Sequence, residues 1–391
     1  MWAVQTSTVG VIKMNAWQVI AIGITSLAGS LLVLFTRRWH GKWTGDFEDS
    51  GVQKHHRGSP PRIGIVPLML AVAVGLYFLS TSRLAQAGMA ANTLGLLVLA
   101  SLPVVLLGLA DDVTKKITPR LRMLGAAIAG ALVIALLDSR LVRVDIFIFD
   151  DLLGFAPMSI ALTLLMVCGF TNAVNIVDGL NGLASGLAVL MLAATGVIAS
   201  RFGDQMIVEM CMVLGIAIVG FLVVNFPRGY LFLGDGGAYL IGFLLVQIWI
   251  LLVNRNPSIT PWCVAAMAFL PTMETIFSIY RRRLRRVRRG AAMAPDRLHL
   301  HSLVYRRRAA LIFSESWAER WVANAAASVA VVCFGAVPIA LALVAPTSLM
   351  WNALVVCAAS LTFLAWFSRL VHFRGRLRGA NNKQPDVIQA G

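Results

Sequence analysis

Eleven apolar runs, each long enough to cross a bilayer as a helix, dominate this chain of 391 residues. They cover residues 16–35, 63–80, 92–110, 121–137, 157–173, 183–199, 206–226, 237–253, 261–280, 321–345 and 349–368. Spanning about 30 Å of hydrocarbon takes roughly 20 helical residues. Within lipid only helices or closed barrels satisfy their own backbone groups. These runs are continuous, without the alternation of barrel strands, so they predict helices. Charged residues are only 13% of the chain, against about a quarter in soluble domains. The expected fold class is therefore an all-α polytopic membrane protein with about 11 transmembrane helices. It forms one integral membrane domain over 1–391, with a basic tail at 369–391. Arg37, Arg38 and Lys42 follow the first run instead of preceding it, so that run is not read as a cleavable signal peptide. Cys168, Cys211, Cys263, Cys333 and Cys357 all lie inside apolar runs without paired spacing, and are expected to be small buried hydrophobes.

The net charge of +16 would suit nucleic acid if it were spread over the surface. Its distribution points elsewhere. The loops after runs 1, 3, 5, 7, 9 and 11, counted with Arg122 at the very start of run 4, hold 28 of the 34 Lys and Arg residues. By the positive-inside rule these loops are cytoplasmic, the N-terminus is outside and the C-terminus is cytoplasmic. The charge is a one-sided apron for topology and anionic lipid, and no nucleic-acid partner is implied. The stretch 138–156 falls outside as a short hairpin or interfacial segment.

The fifth and sixth runs meet in Phe-Thr-Asn-Ala-Val-Asn-Ile-Val-Asp-Gly-Leu-Asn-Gly, residues 170–182. Asn172, Asn175, Asp178 and Asn181 recur every three residues, near one face of a helical turn. Such groups either cap a turn or bind a ligand. At a membrane boundary polar side chains are usually functional. Three more polar motifs fall on the same face: Asp111 and Asp112, Asp235 within Gly-Asp-Gly-Gly, and His299 and His301 in a basic loop. Each has a plainer reading. One acid of the pair could cap the following helix, Asp235 could serve a turn, and two histidines alone are a poor zinc site. Together, carboxylates and an amide close to Lys, Arg and His are what divalent-metal phosphate chemistry needs. A P-loop is absent.

In order and placement these motifs resemble the polyprenyl-phosphate N-acetylhexosamine-1-phosphate transferases, bacterial glycosyltransferase family 4. The resemblance runs through residues 54–64, 111–115, 172–182, 234–238, 271–274 and 295–301. It implies transfer of a sugar-1-phosphate from a UDP-sugar to a polyprenyl phosphate, undecaprenyl phosphate in bacteria, with release of UMP. That step starts a lipid-linked cell-envelope glycan at the bacterial inner membrane. The resemblance places Asp111 and Asp112 near the lipid phosphate, and a Mg²⁺ (or Mn²⁺) on Asn175 and Asp235. It places Asp178 and Asn181 on the uridine side, and His299 and His301 near the donor phosphates and sugar. Asp111, Asp112, Asp235, His299 and His301 form the expected catalytic set. Lys54, Lys115, Asn172, Asp178, Asn181 and Arg297 form the expected substrate-binding set. The catalytic loops are 36–62, 111–120, 172–182, 227–236 and 281–320, and a homodimer is compatible with this reading.

The chain departs from the family pattern in four places. Asn181 stands where many bacterial relatives have Asp, Ser302 replaces a third histidine, and Ala238 replaces a frequent Ser. Only Gly64 is present where paired glycines are usual. These changes favour a simple UDP-N-acetylhexosamine over the peptide-bearing muramoyl donor. A secondary transporter is the rival from another class. It requires acids near the bilayer midplane and an internal repeat, whereas these acids lie at run boundaries and no repeat is visible. A catalytically dead scaffold would lack one of the metal groups, and both are present.

Overall fold

In the computed structural model each apolar run is helical, because a buried or lipid-facing backbone has no other partner for its polar groups. The structure describes residues 14–45, 59–289, 298–309, 312 and 320–372. In chain order the helices are α1 (Ala16–Thr44), α2 (Ile65–Thr81), α3 (Ala85–Ala100), α4 (Leu102–Thr114), α5 (Pro119–Leu137), α6 (Phe147–Leu153), α7 (Ala156–Val177), α8 (Leu183–Arg201), α9 (Gln205–Asn225) and α10 (Gly234–Arg255). They continue as α11 (Pro261–Met267), α12 (Phe269–Arg289), α13 (Leu300–Val304), a π-helical turn (Tyr305–Ala309), α14 (Arg320–Ala342) and α15 (Leu349–Val371). Among the described residues eight helices are long and apolar enough to span a membrane, or ten when each bent pair is one span. The apolar helix α2 has 17 residues. The protein is thus a multi-pass, all-helical membrane protein.

Helix starts follow the local sequence. Thr118, Asp204, Thr260 and Ser348 each accept a backbone N–H from the first turn of the helix that follows. Pro119 and Pro261 occupy first-turn positions where no N–H is needed. Thr118 therefore caps α5, the task that one of Asp111 and Asp112 could have had. The third and ninth runs are broken instead of straight. The α3–α4 pair bends by 48° and the α11–α12 pair by 77°. Pro103 stands just inside α4 and Pro271 just inside α12, where a proline starts a helix but cannot continue one.

The stretch 138–156 forms no hairpin. Ser159 donates to the Leu141 carbonyl and Thr163 accepts from the Leu141 N–H, pinning the extended part to α7. The short α6 follows, with Phe147, Ile148 and Phe149 exposed. Two of the cysteines depart from expectation. Cys168, Cys211 and Cys263 are buried, but Cys333 on α14 and Cys357 on α15 are exposed, and all five are free thiols. On a lipid-facing helix surface a small apolar thiol is solvated by hydrocarbon, so an apolar run does not distinguish inside from outside.

At the centre stands α10, whose residues are nearly all buried. It packs against α2, α3, α4, α7, α8 and α9. Its closest backbone approach is to α4. A Cβ on Gly108 would lie 2.6 Å from the Gly236 Cα, so the two helices touch through glycine.

Candidate active site

The α4–α10 contact brings the acidic motifs together. Asp112 is buried, and its carboxylate accepts the backbone N–H groups of Asp235 (2.9 Å) and Gly236 (3.0 Å). It therefore caps α10 from another helix, filling donors that a helix N-terminus leaves open. Arg62 Nε lies 3.2 Å from the same carboxylate. Gly234 adopts φ +76°, and a Cβ there would sit 2.1 Å from the Arg62 carbonyl oxygen. Those glycines serve close packing and do not clear space around Asp235, as their small size alone suggests. The Asp235 carboxylate is in fact held on both sides. Arg62 Nη2 contacts Oδ1 at 3.0 Å and Arg122 Nη1 contacts Oδ2 at 2.9 Å.

Arg62 is placed by its backbone. Its N–H donates to the Thr44 carbonyl, the Phe232 N–H to Pro61, and the Gly64 N–H to Phe232. These bonds tie the entry to α2 to both α1 and the start of α10. Arg122, one turn into α5, also reaches Asp111 Oδ2 at 3.3 Å. The other Asp111 oxygen accepts the Ile117 N–H at 3.0 Å. Arg122 Nη1 thus bridges the Asp111 and Asp235 carboxylates. Two carboxyls so close need a proton or a cation between them. Lys115 ends α4 in the left-handed conformation (φ 56°), and its charge acts on Asp112.

From α7, the Asn175 amide donates to the Tyr239 hydroxyl at 2.8 Å, leaving its carbonyl oxygen as acceptor. Arg122 also reaches this hydroxyl. Asp178, just beyond α7, feels Arg62, Asp235 and Asp112. Burial pushes its carboxyl up to about 7, Arg62 pulls it down, and the two acids add to the rise. Asn172 is half-buried on the last turns of α7.

Asn181 is committed to the scaffold. Its N–H donates to Asn324 Oδ1 (2.9 Å) and its side-chain amide to the Pro227 carbonyl (2.9 Å). The neighbouring Gly182 N–H is taken by Asn225. His299 and His301 are both buried, with both rings against Glu274 of α12. The His301 ring also abuts the Asn/Asp loop, because a Cβ on Gly179 would lie 2.5 Å from its Nε2. Lys54 and Arg297 lie outside the described residues. The structure thus joins Asp111, Asp112, Asn175, Asp178, Asp235 and His301 from four distant motifs.

No role for Arg62, Arg122, Tyr239 or Glu274 is read from the sequence, although Arg62 and Glu274 lie within the stretches 54–64 and 271–274 that carry the resemblance. For Arg122 and Glu274 a signal exists: each is a charge within an apolar run, which is rare without a role. Tyr239 carries no such mark, and Arg62 only its place in 54–64.

The donor set suits a hard divalent cation. Four carboxylates (Asp111, Asp112, Asp178, Asp235) face two guanidiniums, with Lys115 the next cation outward. Among the described residues no three His, Cys, Asp or Glu side chains form a ready metal cage. One carboxylate and one amide oxygen match the sparse protein shell that Mg²⁺ takes when phosphates and water complete it.

Fold and site define a polytopic membrane protein with an acid–arginine centre at one end of its helix bundle. The glycosyl transferase family 4 profile matches residues 94–253. That range holds Asp111, Asp112, Arg122, Asn175, Asp178, Asp235 and Tyr239. The chain is 27% identical over 264 residues to a probable undecaprenyl-phosphate N-acetylglucosaminyl 1-phosphate transferase of Bacillus subtilis (strain 168), covering 66% of this chain and 69% of that protein. To the undecaprenyl-phosphate alpha-N-acetylglucosaminyl 1-phosphate transferase of Yersinia pestis it is 27% identical over 289 residues, 71% and 74% of the two chains. The Escherichia coli (strain K12) protein of that name is 34% identical over 158 residues, 38% and 41% of the two. Over residues 94–253 the chain is therefore similar to glycosyl transferase family 4.

Proposed function

We propose that this protein transfers N-acetylhexosamine-1-phosphate from a UDP-sugar to undecaprenyl phosphate at the cytoplasmic face of a bacterial inner membrane. UMP is released, and the product starts a cell-envelope glycan. The observation that carries the reading is that, among the described residues, four carboxylates gather around two arginines and Lys115 at the ends of α4, α7 and α10. Such a cluster suits a divalent cation with phosphates, and the family's membrane setting supplies a lipid acceptor. We take the apolar runs as 11 spans in one phosphoglycosyltransferase domain, N-terminus outside. The acids then sit at one boundary, away from the midplane that a transporter would use.

Asp235 and Asn175 would hold Mg²⁺, with Tyr239 keeping the Asn175 amide oriented. When bound, the ion offsets charge on the donor's diphosphate. Asp111 is the member of the acid pair open to the lipid phosphate, its side chain 14% exposed where that of Asp112 is fully buried beneath α10. A lipid phosphate monoester is mostly ionised near neutral pH (second pKa about 6), so Asp111 positions it more than it deprotonates it. Its oxygen attacks the sugar-bearing phosphorus, and the bond to the UMP oxygen breaks in line. Arg62 and Arg122, both on Asp235, are placed where they could neutralise phosphate oxygens brought beside that carboxylate.

The test is purified protein with undecaprenyl phosphate and a panel of UDP-sugars, following UMP. UMP release with a UDP-N-acetylhexosamine, abolished by chelator, is expected. No release with any UDP-sugar, or release only with the muramoyl-pentapeptide donor, would overturn the assignment.

A further inference from the structure

Glu274 is buried inside the bent α11–α12 span, where an ionisable group is costly and normally functional. Each of its oxygens takes two bonds. Oε2 faces His299 Nδ1 at 3.3 Å and accepts the Leu300 N–H at 3.1 Å. Oε1 faces His301 Nδ1 at 3.2 Å and accepts the His301 N–H at 3.2 Å. A carboxylate offers about four acceptor positions, and these four donors fill them. An ionised carboxylate only accepts, so both Nδ1 atoms carry hydrogen and both Nε2 atoms are left to meet something else. The rings lie parallel, with centroids 5.5 Å apart and planes within 12°. His301 Nε2 sits against Gly179, in the loop that carries Asp178.

We propose that Glu274 is a positioning residue that clamps His299 and His301 as a parallel pair, Nε2 turned away from it and toward the loop of Asp178, to receive the diphosphate of the nucleotide-sugar donor. The inference rests on the proposed reaction. A single carboxylate holding two rings and two backbone N–H groups fixes the separation of the Nε2 atoms. Two imidazole nitrogens at fixed spacing suit two linked phosphates better than one. Glu274 touches no substrate, so its effect passes wholly through the histidines. The Asn/Asp loop has glycine at position 179 because any side chain there would push His301 out of the pair.

The experiment measures steady-state kinetics of the full-length protein in nanodiscs with UDP-N-acetylglucosamine and undecaprenyl phosphate. Glu274→Gln cannot accept at both oxygens. It is expected to raise KM for the UDP-sugar about tenfold or more, roughly one lost charge-assisted bond. The KM for the lipid should stay within about twofold. In a His299→Ala/His301→Ala background the same change should add nothing, since effects relayed through one group do not add. A merely structural Glu274 would lower kcat and both KM-linked terms in either background. Gly179→Ala leaves Glu274 intact and crowds His301. It should raise the donor KM likewise, and have no effect in His301→Ala, which keeps the proposal testable if Glu274→Gln does not fold. An unchanged donor KM in a folded Glu274→Gln protein, or an equal loss with and without the histidines, overturns the clamp. Absence of turnover in the wild type instead overturns the proposed reaction, and the clamp with it.

Discussion

The two ends of α10 are each tied down by an aspartate from elsewhere in the chain, yet they are built differently. At the far end Asp204, which also caps α9, takes Arg255 Nε at 2.8 Å and Arg255 Nη2 at 3.0 Å. The Asn256 amide adds a third bond at 3.0 Å. One buried carboxylate meets one bidentate guanidinium, in favourable sense for a helix C-terminus. At the near end Asp112 plays the corresponding role for the N-terminus, but Asp111, Asp178 and Asp235 crowd around it with two arginines between them. A structural acid is matched charge for charge. At the near end, among the described residues, the arginines are instead shared between several carboxylates.

The sharpest way to break that contrast is Asp235→Asn. Activity should fall by about 10³-fold, the scale of a lost centre for transition-state charge, with the folded protein still present in membranes. UMP release across a Mg²⁺ titration measures it, and retained activity in Asp235→Asn would make the near end as structural as the far one. Asp111→Asn should cost about 10²-fold with little change in melting temperature. Asp112→Asn should lower activity and melting temperature together, since it loses both a helix cap and an ion pair. The pair of measurements separates a substrate-facing acid from its scaffold neighbour.

Arg255→Ala should act in the opposite sense. Leaving the Asp204 charge buried without its partner costs about 3–5 kcal/mol, so the melting temperature drops while kcat of the surviving protein stays within about twofold. A large kcat loss would show that the two ends are coupled.

The smallest expected effect is a pH slope. The folded-state carboxyl of Asp178 sits near 7, above its ordinary value of 3.8. The native state therefore holds a proton that the unfolded chain has given up, and this contribution to stability is full below about 4 and lost as pH rises through 7. Without substrate or divalent cation, thermal melts should fall from pH 5 to pH 8. Asp178→Asn should flatten that slope. A wild-type slope of the opposite sign would contradict the burial of this carboxyl.

Legibility in the sequence follows the same division. Every apolar run becomes a helix because lipid leaves the backbone no choice, and capping residues such as Thr118 and Ser348 are readable in place. The clustering of Asp111, Asp178, Asp235 and His301 was legible from charge bias and motif order. The bends at Ser101 and Ala268 were marked only by Pro103 and Pro271, which a hydropathy reading of the runs passes over. The role of Arg62 was hidden as well: it depends on backbone bonds to Thr44 and Phe232, contacts between segments far apart in sequence. The paired acids looked equivalent as neighbours. Successive residues on a helix point about 100° apart, so Asp112 faces α10 while Asp111 faces α5. Orientation can be checked by cysteine labelling beside each motif, in a background lacking the exposed Cys333 and Cys357.

The position of α10 has a consequence for how the protein is made. All the helices it packs against most extensively (α2, α3, α4, α7, α8 and α9) precede it in the chain. During synthesis those partners reach the bilayer first, and α10 enters a slot they already surround. Gln247 lies at the middle of this helix, buried, and its amide finds no hydrogen-bond partner among the described residues. Such a group is poorly suited to wait in lipid. Until α10 docks, Asp112 has no helix to cap and Arg62 no second acid to bridge. Nascent chains ending before Gly234 should therefore insert yet remain sensitive to membrane proteases, and chains extended past Arg255 should become resistant in one step. The acid–arginine centre of this protein thus closes only when α10 arrives, after the helices that surround it.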